Sequence, residues 1–262
     1  MGFAGALTAV MERAGMRGAP TLLRYLSKVP ALNRRTAIAT LPSGESLSFP
    51  AYDHYWCRYL YAGKPYEPDV ERIFRQLGKG RVLVDCGANI GYWSVRHREF
   101  GFTQSIAIEA NPRLIPFLER NYAGPVHHAA VHSRSGETLL LGGDGAIGRV
   151  GPSGVPVQTL ALADLGIDGP ALVKLDVEGS EIRAIEGLGE TRAILVYEDF
   201  PRQGMKVTRH LLDRGWKIFD DRMQAIESVE AVSADLGKGI PHNLIAARGE
   251  DALRCAAALR AD

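Results

Sequence analysis

One short stretch, residues 82–94, most constrains how this chain can fold. An apolar run ends at Asp85, and a turn containing Gly87 and Gly91 follows, before residues that can start a helix. Strand, glycine turn and helix in this order are typical of the first half of a nucleotide-binding βαβ unit. We therefore predict a doubly wound α/β sheet whose ligand lies beyond the carboxyl ends of its strands.

The residues of the turn indicate which class of nucleotide binds there. A dinucleotide fingerprint reads G-x-G-x-x-G, whereas this turn has Asn89 where the backbone would approach a pyrophosphate. The sequence also has no Gly-Lys-Ser/Thr, which excludes a phosphate-binding P-loop. Asp85 would face an ammonium group better than a phosphate. A phosphate-free ligand with a cationic amino-acid end and an adenosine end, S-adenosylmethionine, fits this turn, and the helix start after Gly91 favours its carboxylate.

Two further strands complete the predicted cofactor site. Residues 105–109 form an apolar run ending at Glu109. An acidic residue about 20 residues beyond the glycine turn is placed to hold ribose hydroxyls. Residues 126–131 predict a third strand, so Ala130 and Val131, with Ala110, are expected to flank the adenine. The histidines near this strand lack the spacing of metal ligands, and we assign no metal site there.

The catalytic residues are predicted at the end of a further strand, residues 171–176. Lys174 interrupts an apolar strand, and a buried lysine is costly unless it is paired, which makes Asp176 its natural partner. Transfer of a methyl group to a hydroxyl needs a proton acceptor, for which Asp176 is the first candidate and Glu178 the second. Alternatively, Asp176 and Glu178 join Glu198 to hold a divalent ion that polarises the acceptor oxygen.

The remaining chain is predicted to frame this site. We divide it into an N-terminal extension of helices and a hairpin (residues 1–80), a cofactor domain (81–248) and a tail helix (249–262). The domain should contain a mostly parallel, seven-stranded sheet with an antiparallel last strand. Residues 142–154 are glycine-rich and form either a surface loop or a lid that carries Arg149.

Composition limits the partners and the compartment. The formal net charge of +1 argues against nucleic acid as a partner. Residues 1–35 are locally basic, which is either a solvated helical face or a docking surface for an acidic partner, a membrane surface or an anionic substrate. Three cysteines without metal-like spacing suit a reducing cytoplasm, and no apolar run is long enough for a transmembrane segment.

Residues 60–248 resemble the FkbM-type methyltransferases, a family of class I, Rossmann-like enzymes that use S-adenosylmethionine. The resemblance rests on Asp85-Cys86-Gly87-Ala88-Asn89-Ile90-Gly91, Glu109-Ala110-Asn111-Pro112, Ala129-Ala130-Val131, Thr159-Leu160 and Lys174-Leu175-Asp176-Val177-Glu178-Gly179-Ser180-Glu181. The chain departs from the family at Ala161, where an aspartate is usual. The resemblance implies O-methylation of a sugar, polysaccharide or polyketide-like product, with a small molecule or glycan as acceptor.

Two other functions use the same sheet. The protein could bind S-adenosylmethionine or a related nucleoside without catalysis, as a sensor or assembly partner, although such a protein has no need to keep Lys174, Asp176 and Glu178 together. It could also be a nicotinamide-dependent oxidoreductase, which Asn89 in the turn argues against.

Overall fold

A computed structural model describes residues 35–258 apart from residue 52, residue 62, residues 143–148, residue 152 and residues 231–241. The predictions for the basic segment up to residue 34, and for most of the glycine-rich stretch, therefore lie outside the described residues. Among the residues described, no helix combines the length and apolar character that crossing a membrane requires.

The strands and helices follow one another in an α/β order. The strands are β1 (Thr36–Thr40), β2 (Ser46–Pro50), β3 (Val82–Cys86), β4 (Gln104–Glu109), β5 (Val126–His128), β6 (Ala130–Val131), β7 (Thr138–Gly142), β8 (Arg149–Gly151), β9 (Val155–Leu160), β10 (Ala171–Leu175), β11 (Ala193–Asp199), β12 (Lys217–Phe219), β13 (Ala225–Ile226) and β14 (His242–Ala247). The α-helices are α1 (His54–Leu60), α2 (Pro68–Leu77), α3 (Tyr92–Arg96), α4 (Ile115–Asn121), α5 (Glu181–Glu186), α6 (Lys206–Leu212) and α7 (Glu250–Ala258).

The main sheet has the order β13-β12-β14-β11-β10-β3-β4-β5. Its neighbours from β11 to β5 are parallel, and β14 runs antiparallel to β11 and β12. The doubly wound, mostly parallel prediction is confirmed, but the described part of the sheet has eight strands instead of seven. The additional strand, β13, contributes two residue pairs with β12, which is too short to produce a recognisable pattern.

The predicted third strand, residues 126–131, is wrong as a single element. The chain leaves the main sheet after β5, bends at Ala129 and pairs as β6 with β9 in a second sheet of order β6-β9-β7-β8. In that sheet Arg149–Gly151 forms strand β8 beside β7, so part of the predicted glycine-rich loop is an edge strand. An edge strand tolerates glycine because only one of its sides must pair.

Helix α4 begins at Ile115, three residues after Pro112, although Asn111 followed by proline is typical of a helix start. The Asn111 side chain accepts a hydrogen bond from the backbone nitrogen of Arg113, which stabilises a turn instead of a helix start. Pro116 then falls in the first helical turn, where the missing N–H of proline costs nothing.

The hairpin β1–β2 and helices α1 and α2 pack on one face of the main sheet. Helix α2 buries Val70, Ile73, Phe74 and Leu77, as its helical spacing predicts. These side chains share an apolar core with Leu83 of β3, Leu172 of β10 and Val196 of β11. The opposite face of the same strands packs in a second core. The segment before β3 therefore covers one side of the sheet near the predicted site.

Candidate active site

Strand register brings the predicted acidic residues together. In the parallel pair β3–β10, Asp85 lies opposite Lys174, and in the pair β10–β11, Leu175 lies opposite Tyr197. Asp176 and Glu198 therefore follow at the same level on neighbouring strand ends. Because side chains alternate along a strand, these residues project to the face that α1 and α2 cover. Glu109 ends β4, the neighbour of β3 on the other side.

Lys174 is the buried cation of the site. Its side chain is only 3% exposed, and its Nζ donates to Asp176 Oδ2 at 3.0 Å and lies 3.7 Å from Glu67 Oε2. Burial lowers the pKa of the Lys174 ammonium, but the neighbouring carboxylates, Asp176 first, outweigh burial and hold that pKa well above its usual value. The predicted pairing of Lys174 with Asp176 is thus present in the structure.

Asp85 lies beside Lys174 and is fully enclosed. Its Oδ2 accepts a hydrogen bond from Ser94 Oγ at 2.7 Å, and Ser94 in turn accepts one from Ser105 Oγ at 3.2 Å. Its Oδ1 is buried without a hydrogen-bond partner among the described residues. Burial raises the pKa of the Asp85 carboxyl, and the Lys174 charge opposes that rise only in part. An orphaned buried acceptor of this kind is suited to a donor such as an ammonium group.

Gly87 lets two strand ends approach closely. Its φ is +80°, and a Cβ at this position would lie 1.9 Å from the backbone oxygen of Asp176. The Asp176 backbone nitrogen also donates to the Cys86 oxygen at 3.1 Å. Gly91, with φ of +89°, similarly leaves room for Leu118 of α4. The glycine turn therefore sets the position of the backbone of Asp176.

Glu109 organises the far side of the turn. One carboxylate oxygen accepts the backbone N–H of Asn89 at 2.8 Å, and the other accepts that of Asn111 at 2.7 Å. Burial raises the pKa of Glu109 to about 7, although these two hydrogen bonds favour the carboxylate. Each oxygen keeps a further lone pair for another donor.

The segment before β3 also reaches the site, a contact that no sequence pattern predicted. Glu67 accepts a hydrogen bond from Trp93 Nε1 at 2.9 Å while it lies beside Lys174. Trp56 Nε1 donates to the side-chain oxygen of Asn89 at 2.9 Å, so α1 holds the glycine turn. The only sequence signal was that Glu67 precedes Pro68, which excludes it from the helix without indicating a contact.

Strained backbone concentrates at this edge of the sheet. Glu67, Asn89 and Glu178 have φ angles of 41°, 54° and 53°, in the left-handed region that residues other than glycine seldom adopt. Such conformations cost roughly 1–3 kcal/mol each and cluster at functional sites. Three of them around Lys174 and the glycine turn support a ligand-binding role for this edge.

Glu198 and Glu178 lie at the border of the site. Burial, followed by the charge of Asp176, raises the pKa of Glu198 to about 8. Among the described residues, no group of three or more His, Cys, Asp or Glu side chains is arranged to hold a metal ion. The geometry therefore gives no support to the divalent-ion alternative at Asp176, Glu178 and Glu198.

The three predicted adenine-flanking residues are divided between the sheets. Ala110 directly follows β4, where its backbone oxygen lies 3.2 Å from His128 Nε2. Ala130 and Val131 form β6 in the second sheet, and Val131 packs in the apolar core with Leu162 and Leu175. Their role at the adenine stays a prediction.

Comparison with known proteins identifies the domain. The family model described as "Methyltransferase FkbM domain" matches residues 85–214. The matched segment, just under half of the chain, resembles an FkbM methyltransferase domain. The predicted resemblance to this family and the class I methyltransferase fold are confirmed, although the match is narrower than the predicted residues 60–248. The residues from the segment before β3 lie outside it.

Solved structures of methyltransferases are similar at low identity. An FkbM methyltransferase from Methylobacillus flagellatus KT is 14% identical over 75% of this chain and 54% of that chain, with a TM-score of 0.43. A ribosomal protein L11 methylase from Lactobacillus delbrueckii subsp. bulgaricus is 13% identical over 69% and 76%, with a TM-score of 0.42. P. horikoshii TYW2 in complex with MeSAdo is 14% identical over 80% and 69%, with a TM-score of 0.39. The comparison with curated proteins gave no significant match.

The FkbM domain implies S-adenosylmethionine as cofactor, and the described residues fit it. The unpartnered Oδ1 of Asp85 suits a cationic donor, and Glu109 retains acceptor capacity for hydroxyl groups. The turn around Gly87 lies between these two carboxylates in the chain and is free of side-chain bulk at its first glycine.

Proposed function

We propose that this FkbM protein is an S-adenosylmethionine-dependent O-methyltransferase that acts on a hydroxyl of a sugar, polysaccharide or polyketide-like product. The observation that carries the proposal is the ion pair between buried Lys174 and partly exposed Asp176, which lies at the end of β10 against the Gly87 turn. It supplies a carboxylate of fixed orientation at the carboxyl ends of the strands, where ligands of open α/β sheets bind.

The cofactor-binding roles follow from the positions of the strand ends. Asp85, Gly87, Asn89 and Gly91 serve the methionine end, and Glu109 serves the ribose. Ala110, Ala130 and Val131 flank the adenine in this proposal. When bound, S-adenosylmethionine supplies an electrophilic methyl group on a positively charged sulfur.

Asp176 acts as the proton acceptor in this proposal. A hydroxyl attacks a methyl group more readily when its proton has a base within hydrogen-bond reach. Asp176 is 27% exposed at its side chain, so an acceptor molecule can approach it, whereas Lys174 behind it is enclosed. Lys174 fixes the orientation of the carboxylate. Glu178, two residues further along the chain, holds hydroxyl groups of the acceptor or serves as the second candidate base. Positioning of the two reactants supplies much of the rate.

The compartment and the partners are proposed on simpler grounds. The three cysteines, Cys57, Cys86 and Cys255, are free and buried, which supports a reducing cytoplasm. The acceptor is a small molecule or a glycan. The basic N-terminal segment would dock a membrane surface or a protein partner.

The test of the reaction is formation of S-adenosylhomocysteine. The purified protein is incubated with S-adenosylmethionine and fractions of a cell extract that contain hydroxylated small molecules or glycans. We expect one fraction to support turnover and to gain a methyl ether detectable by mass spectrometry. Tight cofactor binding without turnover on any fraction would favour a sensor instead, and methylation at nitrogen or carbon would contradict the O-methyl assignment.

Asp176→Asn tests the assignment of the base. The amide cannot accept the proton as a carboxylate does, so we expect turnover to fall by at least about a hundredfold, in line with general-base contributions. The dissociation constant of S-adenosylhomocysteine, measured by calorimetry, should change by less than about threefold. Asp164→Asn is the control, because Asp164 accepts a hydrogen bond from Ser135 beside the second sheet. An equal loss of turnover and affinity would make Asp176 a binding residue.

A further inference from the structure

Glu67 brings an additional carboxyl group to the site from outside the residues that match the FkbM model. Its side chain is 15% exposed and lies 3.7 Å from Lys174 Nζ, while Trp93 Nε1 donates to the same oxygen at 2.9 Å. Its φ of 41° shows that the backbone is held in a strained conformation to present it. A solvated glutamate before a helix would need none of these contacts.

The carboxylates around Lys174 outnumber its single charge. Asp176 is paired at 3.0 Å and Glu67 is close by, while Asp85 lies opposite Lys174 in the strand register. One ammonium group cannot balance three carboxylates, and the buried Oδ1 of Asp85 has no partner among the described residues. Burial raises the pKa of Glu67 and of Asp85, and the Lys174 charge opposes that rise only in part, so a further cation bound beside them would favour their ionised forms.

We propose that Glu67 is a specificity-determining residue that makes this site favour a cationic ligand over a neutral one, so that it binds the sulfonium form of the cofactor in preference to the thioether product. The inference rests on the proposed function, because it takes the ligand to be S-adenosylmethionine. At neutral pH that molecule carries a net charge of about +1, from its sulfonium, ammonium and carboxylate groups, whereas S-adenosylhomocysteine is a net-neutral zwitterion. The site can prefer one of these ligands only if a residue interacts more strongly with the charged ligand than with the neutral one.

The experiment compares three probes by isothermal titration calorimetry on the full chain. S-adenosylmethionine and sinefungin, in which an amine-bearing carbon replaces the sulfonium, are cationic; S-adenosylhomocysteine is neutral. We expect Glu67→Gln to weaken binding of both cationic probes by about fivefold to tenfold relative to S-adenosylhomocysteine, because the variant lacks the carboxylate. A tenfold change in affinity corresponds to about 1.4 kcal/mol. Glu67→Asp keeps the charge and should keep the ratio within about twofold.

Glu71→Gln is the matched control. Glu71 lies one turn further along α2, where it pairs with Arg75 and Arg96 and not with Lys174. Its loss should leave the ratio of cationic to neutral affinities unchanged. If Glu67→Gln does not fold, Trp93→Phe removes the hydrogen bond that holds Glu67 and should shift the ratio in the same direction.

Two outcomes overturn the inference. Equal weakening of all three probes by Glu67→Gln would mean that Glu67 only supports the fold of the site. Unchanged affinities for all three probes would mean that its charge does not reach the ligand. Failure of the unmodified protein to bind any of the three probes would instead overturn the proposed function itself, so the two failures are distinguishable.

Discussion

At Glu109, burial and hydrogen bonding act in opposite directions on one carboxyl group. Two backbone N–H groups favour its ionised form, yet burial prevails and its pKa lies at about 7 instead of 4.5. The folded chain therefore binds a proton at Glu109 more tightly than the unfolded chain does. This group consequently lowers the free energy of unfolding as the pH rises from about 4.5 to about 7.

The same carboxyl gives a pH-dependent prediction for ligand binding. Hydroxyl donors bind an ionised carboxylate more strongly than a protonated one, so we expect the affinity for S-adenosylhomocysteine to rise between about pH 6 and pH 8. Glu109→Gln should weaken binding by roughly tenfold to a hundredfold, as loss of hydrogen bonds to a charged group does, and flatten this pH dependence. Calorimetric titrations at several pH values measure both effects.

Glu119→Gln is the control for this experiment, because Glu119 is exposed on α4 and should leave affinity unchanged at every pH. A pH dependence that persists in Glu109→Gln would assign the titration to another group. Glu198, whose pKa is about 8, is the next to test.

The sequence predicted some of these residues and could not predict others. Lys174 and Asp176 are neighbours on one strand, so their pairing follows from strand alternation and the cost of a buried lysine. Glu67 is far from Lys174 in sequence, and its contact exists only because α2 packs across the sheet. No local pattern encodes such a contact, so only tertiary structure reveals it.

Among the elements, the two turns at the carboxyl ends of β3 and β10 act as one unit. Gly87 is pressed against the backbone of Asp176, and the Asp176 nitrogen donates to Cys86. The strand–turn–helix pattern predicted a tight turn at this glycine. The break of the third strand at Ala129 was not predictable, because no glycine, proline, asparagine or aspartate marks the bend in the sequence.

Gly87→Ala tests this contact between turns. Positive φ alone costs an alanine roughly 1–2 kcal/mol, and the clash at 1.9 Å should add about 1–3 kcal/mol more by overpacking. Gly80→Ala is the matched control, since Gly80 has φ of +75° with nothing within 4 Å of the added Cβ. Chemical denaturation should show Gly87→Ala to be the less stable variant. Equal losses would mean that the two turns separate without cost.

At the scale of the whole molecule, the tail helix is attached to the sheet by a buried ion pair. Arg81, 3% exposed, donates to Asp251 at 2.6 Å, and the other Asp251 oxygen accepts from Arg192 at 3.2 Å. These arginines pull the pKa of Asp251 below its usual value, although burial opposes them. The predicted boundary at residue 248 therefore separates segments that share a charge network, and the domain division stays a prediction.

Asp251→Asn should destabilise the protein by about 3–5 kcal/mol, because it leaves the buried Arg81 guanidinium without its counter-charge. Glu250→Gln, which removes only the exposed pair with Arg192, should cost less than about 1 kcal/mol. Denaturant unfolding of the two variants measures the difference. A small cost for Asp251→Asn would show that this ion pair does not hold the tail helix to the sheet.

The position of Glu67 has a consequence for how this site can be altered. Its carboxylate touches Lys174 but belongs to a segment that precedes the FkbM match at residue 85. A single substitution at position 67 would alter the electrostatic surroundings of Lys174 while leaving every residue of the shared domain intact. The electrostatics at Lys174 therefore depend on a part of the chain that lies outside the FkbM match.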